Sequence, residues 1–444
     1  MSADELQRVE VGLNQRGPGR MVPNRDRIES LLDLLGNPQR AYPTIHITGT
    51  NGKTSTARMV DSLLRAFGVR VGRYTSPHLD SVTERISIDG EPAEPEKFVA
   101  AYDDVAPFAD LLDAKSEGGD TVTYFELLTA MAFAAFADTP VDVAVVEVGL
   151  GGEWDATNVL RSGVAVVTPI GLDHAELLGG SLATIATEKA GIIHDSATVI
   201  TAVQPVEAAE PLLTRAVEVG ATVAREGLEF GVVDRTVAVG GQLLTLQGLG
   251  GRYDDIFIPM HGAYQAQNAA VALAAVEAFL GAGAERQLDI EAVREGFGGA
   301  SAPARLERVR TSPTVLVDAS HNPAGMVATM EALAEAFRFS RLVAVVAVLA
   351  DKDARGILEL LEPAVDSIVV TENSSPRTMP VDDLAALAVE VFGLERVDVA
   401  RRMDDALESA ITIAEEEGAE LISGVGVLVT GSVVTAADAR RLLR

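Results

Sequence analysis

Short β-branched runs alternate along this chain with stretches whose apolar positions recur at helical spacing. Thr-Ile-His-Ile-Thr at residues 44–48 reads as a buried strand, followed by a glycine-rich turn and an amphipathic stretch over 54–67. Residues 141–146, ending at Glu147, and 164–168 read as two more strands, with helical patterns over 123–137 and 182–190. Alternation of this kind predicts an α/β fold: a mostly parallel sheet of P-loop type flanked by helices.

Between 228 and 249 the pattern changes to short strand-like pieces broken by Gly231, Gly240-Gly241 and Gly248, which predicts a small antiparallel excursion. Residues 265–279 form an alanine-rich helical stretch, and 296–303 have linker composition, placing a domain boundary near residue 300. Beyond it, strands at 315–317, 342–348, 367–370 and 426–430 alternate with helical patterns at 326–337, 381–391 and 404–417. This predicts a second, C-terminal α/β domain of Rossmann-like kind. A length of 444 residues agrees with two or three domains. The run Glu415-Glu416-Glu417 reads as a solvated helix face.

Charge and composition narrow the partners. A formal net charge of -29 argues against nucleic acid or an anionic membrane surface, both of which are held by exposed Lys and Arg. No apolar stretch approaches the roughly 20 residues of a membrane span, the first residues are acidic where a secretory signal would be basic, and there is no cysteine. The expectation is a cytoplasmic protein. An anionic small molecule remains compatible, because salt confines each charge to about 8 Å and a local cation cluster can still capture a phosphate. Lysine occurs only at 53, 97, 115, 189 and 352, and Lys53 and Lys189 fall inside motif-like segments, as do His78, His174, His261 and His321.

Gly49-Thr50-Asn51-Gly52-Lys53-Thr54 follows a strand and opens a helix, the setting in which backbone N–H groups and a helix amino terminus cradle phosphates. Lys53 would reach the β- and γ-phosphates. Two residues, rather than the usual four, separate the first glycine from Gly-Lys. A triphosphate site also needs an acid at a neighbouring strand end to hold Mg²⁺, and Glu147 stands there, before Gly149, Gly151 and Gly152.

The segment 147–158 (Glu-Val-Gly-Leu-Gly-Gly-Glu-Trp-Asp-Ala-Thr-Asn) resembles a signature of folate-adding ligases. In order along the chain come Ser76-Pro77-His78-Leu79, Thr123-Tyr124-Phe125-Glu126, Gly171-Leu172-Asp173-His174, Glu188-Lys189-Ala190-Gly191, His261-Gly262-Ala263-Tyr264-Gln265 with Asn268, Arg305, and Asp318-Ala319-Ser320-His321-Asn322-Pro323, with weaker likeness at Thr430-Gly431-Ser432. Together these resemble the bifunctional dihydrofolate synthase/folylpolyglutamate synthase family of the Mur ligase superfamily. The resemblance implies an N-terminal ATP-binding domain with a pterin or folate site (1–299) and a C-terminal glutamate-ligase domain (300–444). It implies nucleotide contacts from Thr50, Asn51, Gly52, Lys53, Thr54, Ser55, Asn268, Arg305 and Asp318. It implies Mg²⁺ ligation by Ser76, Glu147 and His174, with Thr54 or Ser55 serving the phosphate loop.

By the same resemblance Lys53, His174, Lys189 and His321 serve the chemistry, and Lys189 matches a position that carries a carbamylated lysine in the family. Read bare, Lys189 is a favourable cation at a helix carboxyl end, and His174 a lone histidine bonded to backbone. Thr123, Tyr124, Phe125, Glu126, Trp154, Asp155 and Ala156 match segments that contact the pterin. Trp154, the only tryptophan, would stack on a flat ring or fill core volume. The family often has Arg where Glu153 stands and Gly where Thr54 stands.

The implied reaction is ATP-dependent ligation of L-glutamate to dihydropteroate and to the tail of folates, through an acyl phosphate. A monovalent cation is left open, and a monomer is expected. A Mur-type cell-wall amino-acid ligase shares the Gly-Thr-Asn-Gly-Lys-Thr loop, but such enzymes place a domain before it, and here 48 residues precede Gly49. A P-loop switch protein would need no acceptor pocket.

Overall fold

The computed structural model describes residues 3–17, 24–116, 120–283, 286–415 and 424–444. The chain divides into two compact units. One comprises Met1–Arg235, Leu243–Ile258 and Ala266–Ala300, the other Thr236–Gln242, Pro259–Gln265 and Ser301–Arg444.

The first unit is built on eight strands: β1 (Thr44–Thr48), β2 (Val71–Tyr74), β3 (Ile86–Ile88), β4 (Glu91–Pro92), β5 (Val143–Glu147), β6 (Val164–Val167), β7 (Thr198–Thr201) and β8 (Thr222–Arg225). Their order is β4-β3-β2-β5-β1-β6-β7-β8. The β2-to-β8 part is parallel, and β3 and β4 add an antiparallel margin. Every residue of β1, β5 and β6 is buried, as a parallel strand covered on both faces requires. Tyr124–Asp138 and Pro95–Asp113 bury Leu127, Phe133 and Phe98 with Tyr74, Ala144 and Val146. Leu182–Ala190 and Val206–Val219 bury Ile185 and Leu212 with Ala165, Val167 and Val199. From β1 the chain crosses to β2, beyond β5, and later returns to β6 on β1's other side. The carboxyl ends of β1, β5 and β6 therefore frame a switch point, where open α/β sheets receive ligands.

The glycine-rich stretch at 296–303 is not simply a linker. Gly296 lies inside the Ile290–Gly298 helix, where a Cβ would sit 2.8 Å from Leu63 Cα, and its carbonyl accepts a bond from Ser62 Oγ at 2.7 Å. Missing side-chain volume lets this helix press against the Lys53–Ala66 helix behind the phosphate loop.

Strands β9 (Gly231–Ala238), β10 (Gly241–Gln247) and β11 (Arg252–Ile258) form a three-stranded sheet in the order β11-β10-β9. Its connections, Val239-Gly240 and residues 248–251, are too short for a parallel crossover.

The second unit carries β12 (Glu307–Thr311), β13 (Thr314–Val317), β14 (Arg341–Val346), β15 (Ser367–Val370), β16 (Val397–Val399) and β17 (Val425–Thr430), ordered β12-β13-β17-β14-β15-β16. All neighbours are parallel except β12 with β13. Leu316, Ala344, Val346, Ile368 and Leu428 pack with Ile357, Leu361 and Leu384 from helices. The Met403–Glu415 helix reaches the acidic run, of which Glu416 and Glu417 lie outside the described residues. Among the described residues no helix is long and apolar enough to cross a membrane.

Candidate active site

The loop after β1 owes its shape to two glycines. Gly49 has φ +144° and Gly52 φ +89°; a Cβ on the first would lie 1.9 Å from Thr168 Oγ1, and on the second 2.5 Å from Asn268 Oδ1. The loop is strapped to the segment after β6. The amides of Thr50 and Asn51 donate to the Pro169 carbonyl at 3.0 and 3.3 Å, and Thr50 Oγ1 exchanges 3.0 Å bonds with the backbone of Gly171. Gly52 then caps the Lys53–Ala66 helix, whose amino terminus presents peptide N–H groups and positive dipole to an anion.

Charged groups gather around this loop. Lys53 folds back so that Nζ donates to the carbonyls of Gly49 at 3.1 Å and Thr50 at 3.2 Å. Lys189, buried at the end of Leu182–Ala190, donates Nζ to the same Gly49 carbonyl at 2.8 Å. Burial, reinforced by the neighbouring Lys53 charge, pushes the Lys189 pKa down to about 7, so near neutrality much of it is an uncharged amine. Glu147, at the end of β5, is 1% exposed. Thr54 Oγ1 donates to its two oxygens at 2.9 and 3.0 Å, and the Ser76 amide approaches Oε2 at 3.3 Å.

Lys53, Thr54, Ser76, Glu147 and Lys189 are thus tied to one edge by direct contacts. His174 belongs to the loop that Thr50 holds through Gly171; it has φ +50°, and its amide donates to Asp173 Oδ1 at 2.8 Å. A left-handed, partly exposed histidine is an uncommon backbone state that surrounding structure must enforce. Among the described residues no three His, Asp or Glu side chains cluster as a metal cage. The donors are instead two hydroxyl-bearing residues and one buried carboxylate beside a phosphate loop, with His174 on the neighbouring loop. The hard oxygens of that set would suit Mg²⁺.

The acceptor-side segments are held by their own carboxylates. Thr123 and Glu126 form a capping box at the start of Tyr124–Asp138, and Glu126 also pairs with Arg27 at 3.0 Å. Phe125 fills the space a Cβ on Gly149 would occupy, 2.4 Å from its ring, and Tyr124 lies under Arg85 at 5.3 Å. Asp155 is buried, and burial raises its pKa. It accepts from Leu150 N at 2.8 Å, Thr157 N at 2.9 Å and Thr157 Oγ1 at 2.5 Å. With that hydroxyl proton committed, His46 Nε2 must be the donor in its 2.8 Å contact to Thr157 Oγ1. Burial depresses the His46 pKa to about 3, which keeps the ring neutral. Ala156 is buried, and Trp154 packs, partly buried, on the cluster of Val148, Leu178 and Ile185. Glu188 Oε1 accepts from Trp154 N at 3.2 Å, and its carbonyl accepts from Glu153 N at 2.9 Å. These bonds tie the Trp154 loop to the helix end that carries Lys189.

In the second unit Asp318 follows β13, 1% exposed, and accepts from Leu306 N at 2.8 Å, Ser320 N at 2.9 Å and Thr329 Oγ1 at 3.0 Å. Arg305 sits in the turn that Asp318 fastens, and His321 Nδ1 lies 3.0 Å from the Ala319 carbonyl. Ser55 is buried on the first turn of its helix, and Asn268, 4% exposed, backs Gly52. His46, Thr157, Thr168 and Arg27 join the site only in the structure. Thr157 lies inside the 147–158 signature, and His46 stands out as a histidine inside an otherwise β-branched strand.

Residues 47–276 match the Mur ligase middle domain, and residues 304–432 the glutamate ligase domain of Mur ligases. The chain is 54% identical, over 98% of its length and 93% of the relative's, to a dihydrofolate synthase/folylpolyglutamate synthase of Mycobacterium tuberculosis. It is 33% identical to a folylpolyglutamate synthase of Lacticaseibacillus casei, covering 94% of each chain. Its fold is similar to that of the M. tuberculosis folylpolyglutamate synthase solved in complex with ADP, with a TM-score of 0.95, 52% identity, and coverage of 99% of this chain and 98% of that one.

Proposed function

Since the chain belongs to the dihydrofolate synthase/folylpolyglutamate synthase family of the Mur ligase superfamily, we propose that it joins L-glutamate, at the expense of ATP, to dihydropteroate and to the glutamate tail of folates. The observation that carries this reading is the Thr54 hydroxyl on the buried Glu147 carboxylate beside the glycine loop. A carboxylate, a hydroxyl and two lysines around a helix amino terminus form a site for a triphosphate and its counter-ion, not for an apolar ligand.

The acceptor carboxylate attacks the γ-phosphoryl group, forming an acyl phosphate and releasing ADP. The glutamate amine then attacks the acyl carbon and phosphate leaves, carrying one former carboxylate oxygen. Lys53 and the helix amino terminus bind the phosphates, and Thr50, Asn51, Gly52 and Ser55 shape their seat. Thr54, Ser76, Glu147 and His174 would hold Mg²⁺, whose chemistry when bound is to neutralise phosphate oxygens. Lys189 has the low pKa that lets an amine take up carbon dioxide as a carbamate with loss of a proton. Tyr124, Phe125 and Trp154 offer ring surface to a pterin, while Thr123, Glu126, Asp155 and Ala156 set the backbone there. Asn268, whose side chain backs Gly52 of the phosphate loop, serves the nucleotide. The working unit in this reading is a cytoplasmic monomer.

The test is product mass. Purified protein with MgATP and glutamate is offered dihydropteroate or tetrahydrofolate separately, with and without K⁺. Gain of one glutamyl unit is expected with each acceptor; folded, nucleotide-binding protein inert toward both would refute the proposal.

A further inference from the structure

The Lys53–Ala66 helix carries a cation that the proposed function leaves unused. Arg58 stands four residues after Thr54 and three before Asp61, so the three share one helix face. Thr54 gives its hydroxyl to Glu147, and the Asp61 carboxylate is taken by Arg73 and by Arg65, the latter at 3.1 Å. Helical side chains lean toward the amino terminus, so a residue at 58 covers the turn bearing Thr54, roughly 6 Å back along the axis. The charges that reach the Arg58 guanidinium are those of Arg73, Glu84, Asp61 and Glu147.

The surroundings agree. Burial lowers the Arg58 pKa to about 10, helped by the Arg73 charge and opposed by Glu84, Asp61 and Glu147. Each of those carboxylates is already engaged: Glu84 accepts from the amides of Leu79, Asp80 and Ser81 at 3.0, 2.9 and 3.0 Å. Among the described residues half-buried Arg58 makes no hydrogen bond and no ion pair. Lys53 and Lys189, by contrast, spend donors on backbone carbonyls. A partly desolvated guanidinium whose five donors lack an acceptor is costly unless an anion arrives to complete it.

We propose that Arg58 binds an oxyanion of the reacting pair, either the acceptor carboxylate or a terminal phosphoryl oxygen of the nucleotide. Both present the paired oxygens that a planar guanidinium grips. The inference rests on the proposed function for the identity of that pair.

Three measurements on the full chain test it: thermal midpoint, calorimetric titration with the ATP analogue AMPPCP, and acceptor kinetics, each for wild type, Arg58→Ala and Arg58→Lys. The expected result is an Arg58→Ala kcat/KM lowered at least about tenfold, partly restored by millimolar guanidinium, with Arg58→Lys intermediate. Weakened AMPPCP binding assigns the phosphoryl oxygen; unchanged binding with a raised acceptor KM assigns the carboxylate. A folded Arg58→Ala protein within about twofold of wild type overturns the proposal, as does a loss that follows the thermal midpoint and ignores guanidinium. If wild type turns over no acceptor, the proposed function fails separately, and the AMPPCP titration alone decides Arg58: weakened binding supports it, unchanged binding overturns it.

Discussion

Both units place polar residues at the carboxyl edge of a parallel sheet, yet they use them differently. In the first, Thr54 and Ser76 meet a buried carboxylate, and two lysines converge on the carbonyl of Gly49. In the second, the buried carboxylate of Asp318 is consumed by its own turn and helix, while Thr371 Oγ1 and Thr430 Oγ1 are buried without a partner among the described residues. The same architecture therefore gathers a carboxylate, hydroxyls and two lysines at one edge and, at the other, a carboxylate bound up in its own turn beside two unpartnered hydroxyls among the described residues. A strand-end acid is not one kind of feature: what it accepts from decides whether it serves a ligand or a turn.

Substitutions sharpen that contrast. Lys53→Ala or Glu147→Gln is expected to lower kcat by about 10²–10³ with little change in thermal midpoint, as loss of a charge-stabilising group does. Asp318→Ala should do the reverse to stability, costing about 2–4 kcal/mol by orphaning buried donors, as read by urea unfolding. Equal stability losses at Glu147 and Asp318 would erase the distinction. Gly296→Leu, which fills the contact with Leu63, should cost about 1–3 kcal/mol and weaken nucleotide binding by tilting the loop's helix.

The Lys189 amine gives a pH handle. Its folded pKa of about 7 lies below the ordinary 10.5, so the unfolded chain holds more protons between those values, and stability contributed by this group rises with pH across that window. The neutral fraction also climbs as pH passes about 7, so activity should rise between pH 6 and 8, and Lys189→Arg should abolish both the limb and the activity. The smallest effect is expected at His46. Because its folded pKa of about 3 lies below 6.5, its contribution is lost as pH falls beneath 6.5, and His46→Gln should flatten the decline of the urea midpoint toward pH 4.

Much of this was legible in the residues. The run 44–48, the glycine loop and Lys53 announce a strand, turn and helix because β-branching, positive-φ glycines and a helical period coincide there. Glu147 follows from its place at the end of a valine run. What stayed hidden depends on contacts between distant segments. Glu126 and Asp155 look like ligand-facing acids, and only the fold shows them closing a capping box with Thr123 and a turn with Thr157. Gly296 reads as linker because glycine's packing use needs the sight of Leu63. Strands β12 and β16 are short and partly exposed, with charges that mask their alternation. Arg58 belongs to no motif at all.

The most direct test follows the oxygen atoms. With an acceptor whose carboxylate is labelled with ¹⁸O, the reaction run with MgATP and glutamate should release phosphate carrying one labelled oxygen, because the phosphoryl group leaves on the oxygen it was transferred to. Unlabelled phosphate accompanying amide formation would contradict an acyl phosphate, and with it the part played by the loop, Lys53 and Glu147 in phosphoryl transfer.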